Sequence, residues 1–483
     1  MISMKRRLAT FSALLLGAGL AVAASPPAAQ ANDGGNSQRV VSAYFADWDV
    51  YGRGYYVKNI PGDKLNVIQY AFGLPTFDKA TGAVGCGVLD PWADFQQPYW
   101  SGDNSVDGVA DDPSNPAQHL FGNFNQLRKF KAAHPNVRVE ISLGGWTKST
   151  WFSNLAATPE RRQAFVSACV DTFIKGNLPT GGWPENAGGP GAAAGIFDGV
   201  DLDWEYPTAL GGGNVDYGPA DRHNATLLAQ EFRRQLDALG KANHKHYLVT
   251  AALPASRKVS QYYELRQFVS QLDWANIMTY DFNVPGGTVA APDTMFLPDP
   301  RDPNASDWTW NTVGTVAYYL ANGVPADKIV VGVPFYGNQY IRTQPKNHGL
   351  YGPFDNTGLN GNSLAFDEKP QPSYHDLVDV AQVLTPGKQG QKGFTRYWNG
   401  SAGEPWLSNP AQAHNLCTSF NPDGSCAAPW TETVPTVVVY TDPQSASERT
   451  ALVRCAHLRG VMAWELSQDS NDHALLGQLA TIL

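Results

Sequence analysis

The stretch Phe197-Asp198-Gly199-Val200-Asp201-Leu202-Asp203-Trp204-Glu205-Tyr206-Pro207 decides how the chain is read. Four carboxylates fall within eight residues, interleaved with apolar side chains. Asp201, Asp203 and Glu205 stand at i, i+2 and i+4. As a β-strand, the stretch places these three acids on one face and Val200, Leu202 and Trp204 on the other. Successive acids would then lie about 6.5–7 Å apart at Cα, with Glu205 last on the strand and Pro207 ending it. A row of acids on a buried strand is costly unless it does chemistry. Close carboxylates resist joint ionisation and share a proton, which keeps one of them available as a general acid near neutral pH. A calcium loop would place Asn, Gly or Ser between its ligands, where this chain has Val, Leu and Trp. Asp198 falls on the other parity and is read as structural.

Outward from this stretch, apolar strand-like runs alternate with amphipathic ones. The strands are expected at Val40–Phe45, Val67–Phe72, Val137–Leu143, the acidic stretch, Tyr247–Leu253, Trp274–Tyr280, Ile329–Pro334 and Gly460–Trp464. Helical stretches fall at Gln118–Ala133, Pro159–Lys175, Ala225–Leu239 and Thr312–Ala321. Eight β-runs alternating with helices predict an α/β fold, a (β/α)8 TIM barrel, whose active site lies at the C-terminal ends of the strands. Two intervals break the rhythm. Residues 86–116 read as a long loop over the barrel mouth, with Trp92 and Trp100 lining or bracing it. Residues 338–435 are domain-sized and read as a small α+β domain inserted between strand 7 and the last helix, forming one wall of the cleft. Its elements are expected at Gly393–Trp398, Val434–Tyr440 and a helix at Tyr374–Val383. The barrel would comprise 38–337 and 436–483.

Residues 1–31 read as a signal peptide: Lys5, Arg6 and Arg7, an apolar run from Leu8 to Ala24, and a small-residue cleavage site at Ala29-Gln30-Ala31. The implied location is secreted, extracellular. Without that segment 32 basic residues face 44 acidic ones, a net charge of −12. An acidic chain with no basic tract is not expected to bind nucleic acid, and no later run is long enough to span a membrane. Of the five cysteines, Cys417 and Cys426 flank a Pro-Asp-Gly turn and are expected to be bridged. No Cys-x-x-Cys pair or metal-spaced His pattern appears, so no metal is expected. The 14 Trp suit a cleft that stacks flat rings on sugars, although Trp also packs cores.

The pattern Asp-x-x-Asp-x-Asp-x-Glu over Asp198–Glu205 resembles the signature of family 18 glycoside hydrolases, in particular secreted bacterial chitinases that carry the inserted domain. Ser142-Leu143-Gly144-Gly145 resembles the family's Ser-x-Gly-Gly motif, and Trp146 follows it. Met278-Thr279-Tyr280-Asp281 resembles Met-x-Tyr-Asp, and Trp464 resembles the Trp that floors the −1 sugar site. Tyr44, Trp48 and Phe72 match aromatic cleft positions. The resemblance implies a chitinase in which Glu205, Asp203, Asp201 and Tyr280 are catalytic. It implies that Tyr44, Trp48, Phe72, Trp146, Met278, Asp281 and Trp464 bind substrate, with chitin and N-acetylglucosamine oligosaccharides as partners and a monomeric enzyme. Two readings compete: a chitin-binding lectin on the same fold, disfavoured by the complete acid row, and an endo-β-N-acetylglucosaminidase acting on N-glycans. Two departures concern substrate positioning. Asp281 is followed by Phe282-Asn283 where the family often has a Trp, leaving Trp308 or Trp310 to replace it, and Asn338 stands where Arg is common.

Overall fold

The computed structural model describes residues 38–483 except 209–210, 215, 360–363, 365–369 and 386–388. The signal-peptide reading therefore lies outside the described residues. The barrel is built from β1 (Val40–Ala46), β2 (Val67–Phe77), β4 (Arg138–Gly144), β5 (Gly199–Asp203), β6 (Leu248–Pro254), β7 (Trp274–Met278), β8 (Ile329–Pro334) and β13 (Gly460–Trp464). These eight pair in parallel, and the β1–β2 ladder closes the ring. Between β2 and β4, β3 (Val84–Val88) folds back antiparallel on the far end of β2. The fold is thus a TIM barrel, and its strands are buried along their length because helices cover the outside and side chains fill the lumen.

Five longer helices pack outside: α1 (Gly122–Ala133), α2 (Pro159–Cys169), α3 (Asp221–Asn243), α4 (Thr312–Ala321) and α5 (Pro443–Cys455). Three of these helices start at a capping side chain. Thr158 caps α2 and Asn311 caps α4. Asp442 accepts the N–H groups of Gln444 and Ser445 ahead of Pro443 at the first turn of α5. Outward-facing strand residues such as Val200, Leu202 and Trp204 join one core with these helices, and Trp204 stacks on Phe152 at 5.3 Å.

Between β8 and α5 the chain makes a second sheet of β9 (Asn338–Ile341), β10 (Thr395–Asn399), β11 (Glu404–Leu416) and β12 (Trp430–Val439), antiparallel in the order β10-β11-β12-β9. The helix expected over Tyr374–Val383 is a single wide turn, Asp376–Val380. Arg396 of β10 pairs with the buried Asp442 at 2.7 Å, tying this sheet to the cap of α5. Cys417–Cys426 is a disulfide, as is Cys86–Cys169, which joins β3 to α2; Cys455 is free. Among the described residues no helix is long and apolar enough to cross a membrane, and no cluster of His, Cys, Asp or Glu could hold a metal ion.

Candidate active site

The ladder sets the inward side chains of β5. Ser142 pairs with Asp201, and Asp201 with Thr250. Asp201 has no exposed surface and accepts four hydrogen bonds. Tyr44 and Ser142 donate to Oδ2 at 2.9 and 2.8 Å, and Thr250 and Asn276 donate to Oδ1 at 2.6 and 3.2 Å. Burial pushes the Asp201 carboxyl up, and these donors pull it back.

Asp203 is the last residue of the strand, so Glu205 lies two residues beyond it rather than within it. The ladder ends because other groups take over the backbone. The Gly145 N–H and the Ser149 hydroxyl bond to the Asp203 carbonyl, Ser149 Oγ receives the Glu205 N–H at 2.9 Å, and Tyr263 donates to the Trp204 carbonyl. Alternation continues, and both Asp203 and Glu205 face the cleft. Gly144, the last residue of β4, and Gly145 just past it make room. Gly144 has φ +104°, and a Cβ there would sit 2.6 Å from the Asp203 carbonyl oxygen; a Cβ on Gly145 would meet the Phe72 ring at 2.6 Å.

Asp203 is buried, and its Oδ1 has no hydrogen-bond partner among the described residues. Burial first, then Glu205 and Asp201, hold its carboxyl well above the usual range. Glu205 is pushed up to about 7, chiefly by burial; a bond from Tyr206 pulls it down and the charge of Asp281 adds to the rise. Both carboxyls are thus held above the ordinary carboxylate range, an arrangement suited to proton transfer near neutral pH.

The cleft above encloses about 340 Å³, within the roughly 300–1,000 Å³ typical of small-molecule sites. Every residue expected to be catalytic or to bind substrate lines it except Asp201, which lies beneath. Trp464 stacks on Phe72 with centroids 5.9 Å apart and leans on Tyr44 at 5.0 Å, giving a flat apolar floor. Trp48 and Trp146 stand exposed at the rim, and Met278 and Tyr280 close one side. Tyr336 packs edge-on against Tyr280 and donates to Asp281 at 2.8 Å.

Tyr336, Thr147 and Gln371 line the cleft without having been singled out. Tyr336 lies just past the end of β8, where the strand-end rule finds it. Gln371 comes from the inserted segment and has no local signal. Trp92 and Trp100 are not in the cleft; they flank the exposed Trp183 at 6.0 and 5.9 Å. Neither Trp308 nor Trp310 lines it either, and Trp310 packs on Phe282. Asn338 props the loop beyond Asp281, donating to the carbonyl of Asn283 and to Asp293.

The sequence matches Glycosyl hydrolases family 18 over residues 40–469. It is 32% identical over 481 residues to Chitinase A1 of Niallia circulans, across 93% of this chain and 58% of the relative. It is 35% identical over 318 residues to Chitinase C of Streptomyces lividans, across 63% of this chain and 45% of the relative. The chain thus spans about half the length of these curated relatives. The catalytic domain of psychrophilic chitinase B from Arthrobacter TAD20 superposes with a TM-score of 0.75 at 32% identity, covering 92% of this chain and 95% of that one. Acid row, aromatic floor and family match agree, and the chain belongs to glycosyl hydrolases family 18.

Proposed function

We propose that this protein is a secreted chitinase that hydrolyses β-1,4 linkages of N-acetylglucosamine polymers, with retention of configuration. The observation that carries the reading is the buried Asp203–Glu205 pair at the cleft, one carboxyl raised to about 7 and the other with an unpartnered oxygen over an aromatic floor. The names of the relatives point to the same substrate class. Most retaining glycosidases pair an acid with a carboxylate nucleophile about 5–5.5 Å away, and family 18 enzymes are among the exceptions, the substrate supplying the nucleophile.

In this reading Glu205 protonates the glycosidic oxygen. The carbonyl oxygen of the 2-acetamido group attacks the anomeric carbon of the same sugar, and the bond to the leaving sugar breaks, giving an oxazolinium-type intermediate. The open oxygen of Asp203 accepts the acetamido N–H, and its charge offsets that of the ring. Tyr280 directs its hydroxyl at the acetamido oxygen and holds it for attack, a proximity contribution. Trp464 carries the sugar face. Glu205, now a carboxylate, takes a proton from water, which opens the intermediate. Asp201 stays below as the anchor of the row. No cofactor enters any step. The inserted segment of residues 338–435 reaches the cleft through Gln371, which in this reading extends the wall along a linear polymer. The two disulfides fit an exported protein.

The test is cleavage of an N-acetylglucosamine pentamer with the anomer of the fresh product followed by NMR. A β-anomer supports the reading. An α-anomer means direct attack by water and removes the acetamido step. Tight binding without turnover makes the protein a lectin.

A further inference from the structure

The barrel lumen beneath the cleft holds a carboxyl that the reaction above does not use. Glu140 of β4 has no exposed surface and lies two residues below Ser142 on the same inward face. Its neighbours in the ladder are Gln69 of β2 and Gly199 of β5. Both Glu140 oxygens reach Thr250 Oγ1, at 3.2 and 3.3 Å. The same hydroxyl stands 2.6 Å from Asp201 Oδ1.

Counting protons settles the direction of these bonds. A threonine hydroxyl has one proton to give and lone pairs to receive with. Asp201 is surrounded by donors, and the shorter contact takes the Thr250 proton. The contact to Glu140 is then a hydrogen bond only when Glu140 is the donor, that is, when it is protonated. The charged groups acting on Glu140 agree. Asp201 faces it from β5 and Asp273 from the entry to β7, both negative, while Arg138 on its own strand is the counterweight. Burial, then Asp201 and Asp273, hold the Glu140 carboxyl well above its usual range, and Arg138 does not offset them.

We propose that Glu140 is a fourth, protonated member of the acid row, a positioning residue that acts through Thr250 to keep Asp201 as the row's ionised end. This rests on the roles given above to Asp203 and Glu205. With the Thr250 proton locked on Asp201, the mobile proton of the row stays with Asp203 and Glu205, where the chemistry occurs. Without the Glu140 donor, the Thr250 hydroxyl can turn away, Asp201 loses an anchor and competes for that proton.

The experiment compares the wild type with Glu140→Gln, Glu140→Leu and Thr250→Val, by difference infrared spectroscopy and by pentamer kinetics across pH. The wild-type minus Glu140→Gln spectrum should show a protonated carboxylic acid band. Glu140→Leu and Thr250→Val should lower kcat by about tenfold, the scale of one hydrogen bond to a charged group, with KM changed less than about twofold and the pH profile displaced. Glu140→Gln still donates to Thr250 and should recover at least about a third of kcat with the wild-type pH profile. A carboxylate band in place of the acid band overturns the proposal. So does Glu140→Leu with the wild-type kcat and profile, or Glu140→Gln as impaired as Glu140→Leu. If Glu140→Leu does not fold, Thr250→Val and Glu140→Gln decide. If the wild type does not cleave the pentamer, the chitinase reading fails, and the infrared band still reports whether Glu140 carries its proton.

Discussion

Asp198 and Asp203 stand five residues apart around β5, both buried, and the chain treats them in opposite ways. Asp198 lies on the outer parity, between Lys131 at 2.6 Å and Lys245 at 2.7 Å, and also accepts the Val139 N–H. Burial pushes its carboxyl up, but Lys131 and then Lys245 outweigh burial and hold it below its ordinary range. Asp203 lies on the inner parity beside Glu205 and Asp201, and among the described residues no lysine or arginine pairs with it. Burial raises both carboxyls; the partner decides the outcome. A cation on one face of a strand makes a structural anchor, and the lack of one on the other face makes a store of protons.

The largest expected effect comes from removing the proposed acid. Glu205→Gln keeps the shape of the row and should lower pentamer turnover by about 10³-fold, the mid-range for general acid catalysis, while oligomer binding persists. Equilibrium unfolding of the same variant should show the reverse benefit. The folded value of Glu205, about 7, is above that of an unfolded carboxyl. The folded state therefore holds a proton that the unfolded state has released, and the stability this lends is present at low pH and lost as pH rises through about 7. Between pH 5 and pH 8 the stability of Glu205→Gln relative to wild type should rise by about 2–3 kcal/mol. An unchanged gap would mean that Glu205 ionises in the folded protein as it does in water.

Lys131→Met breaks the other side of the comparison. Asp198 then keeps its burial and loses its nearer cation, and unfolding in denaturant should show a loss of about 2 kcal/mol at pH 7. The sign of the pH dependence is opposite to that of Glu205. The folded value of Asp198 is depressed, so its stabilisation is present above the unfolded carboxylate value and disappears as pH falls through the folded one. The penalty of Lys131→Met should shrink in acid, with kcat close to wild type throughout.

The same contrast explains what was legible in the sequence. The parity of Asp201, Asp203 and Glu205 against Val200, Leu202 and Trp204 was visible because a strand has period two, and it placed the carboxyls on the correct faces. β8 and β13 were bounded to the residue because continuous apolar runs end abruptly there. Glu205 was expected within the strand; the Ser149 side chain that ends the ladder is distant in sequence. β11 was not read because Pro405 and Pro410 interrupt it. The register shift between Asn409 and Gln412 accommodates Pro410, a long-range arrangement with no local mark. The Cys86–Cys169 bridge spans 83 residues and depends on β3 packing against α2. Glu140 and Thr250 carry no local signal, because single polar residues in strands look ordinary until the barrel closes and brings them beneath Asp201.

The smallest effect sharpens the comparison most. Lys245 contacts Asp198 almost as closely as Lys131, yet its side chain is 33% exposed against 17% for Lys131. If distance alone set the strength of these pairs, Lys245→Met would cost as much as Lys131→Met. Solvent screens the more exposed charge, and Lys131 also donates to the carbonyls of Gly195 and Ile196, which fix it in place. Lys245 has the face of the Tyr247 ring at 5.0 Å instead, a contact that a methionine side chain partly replaces. Lys245→Met should therefore cost only about 0.5–1 kcal/mol in the same unfolding measurement, less than half the loss in Lys131→Met. Equal losses would show that Asp198 answers to the number of cations near it, and that the burial of each cation carries no weight of its own.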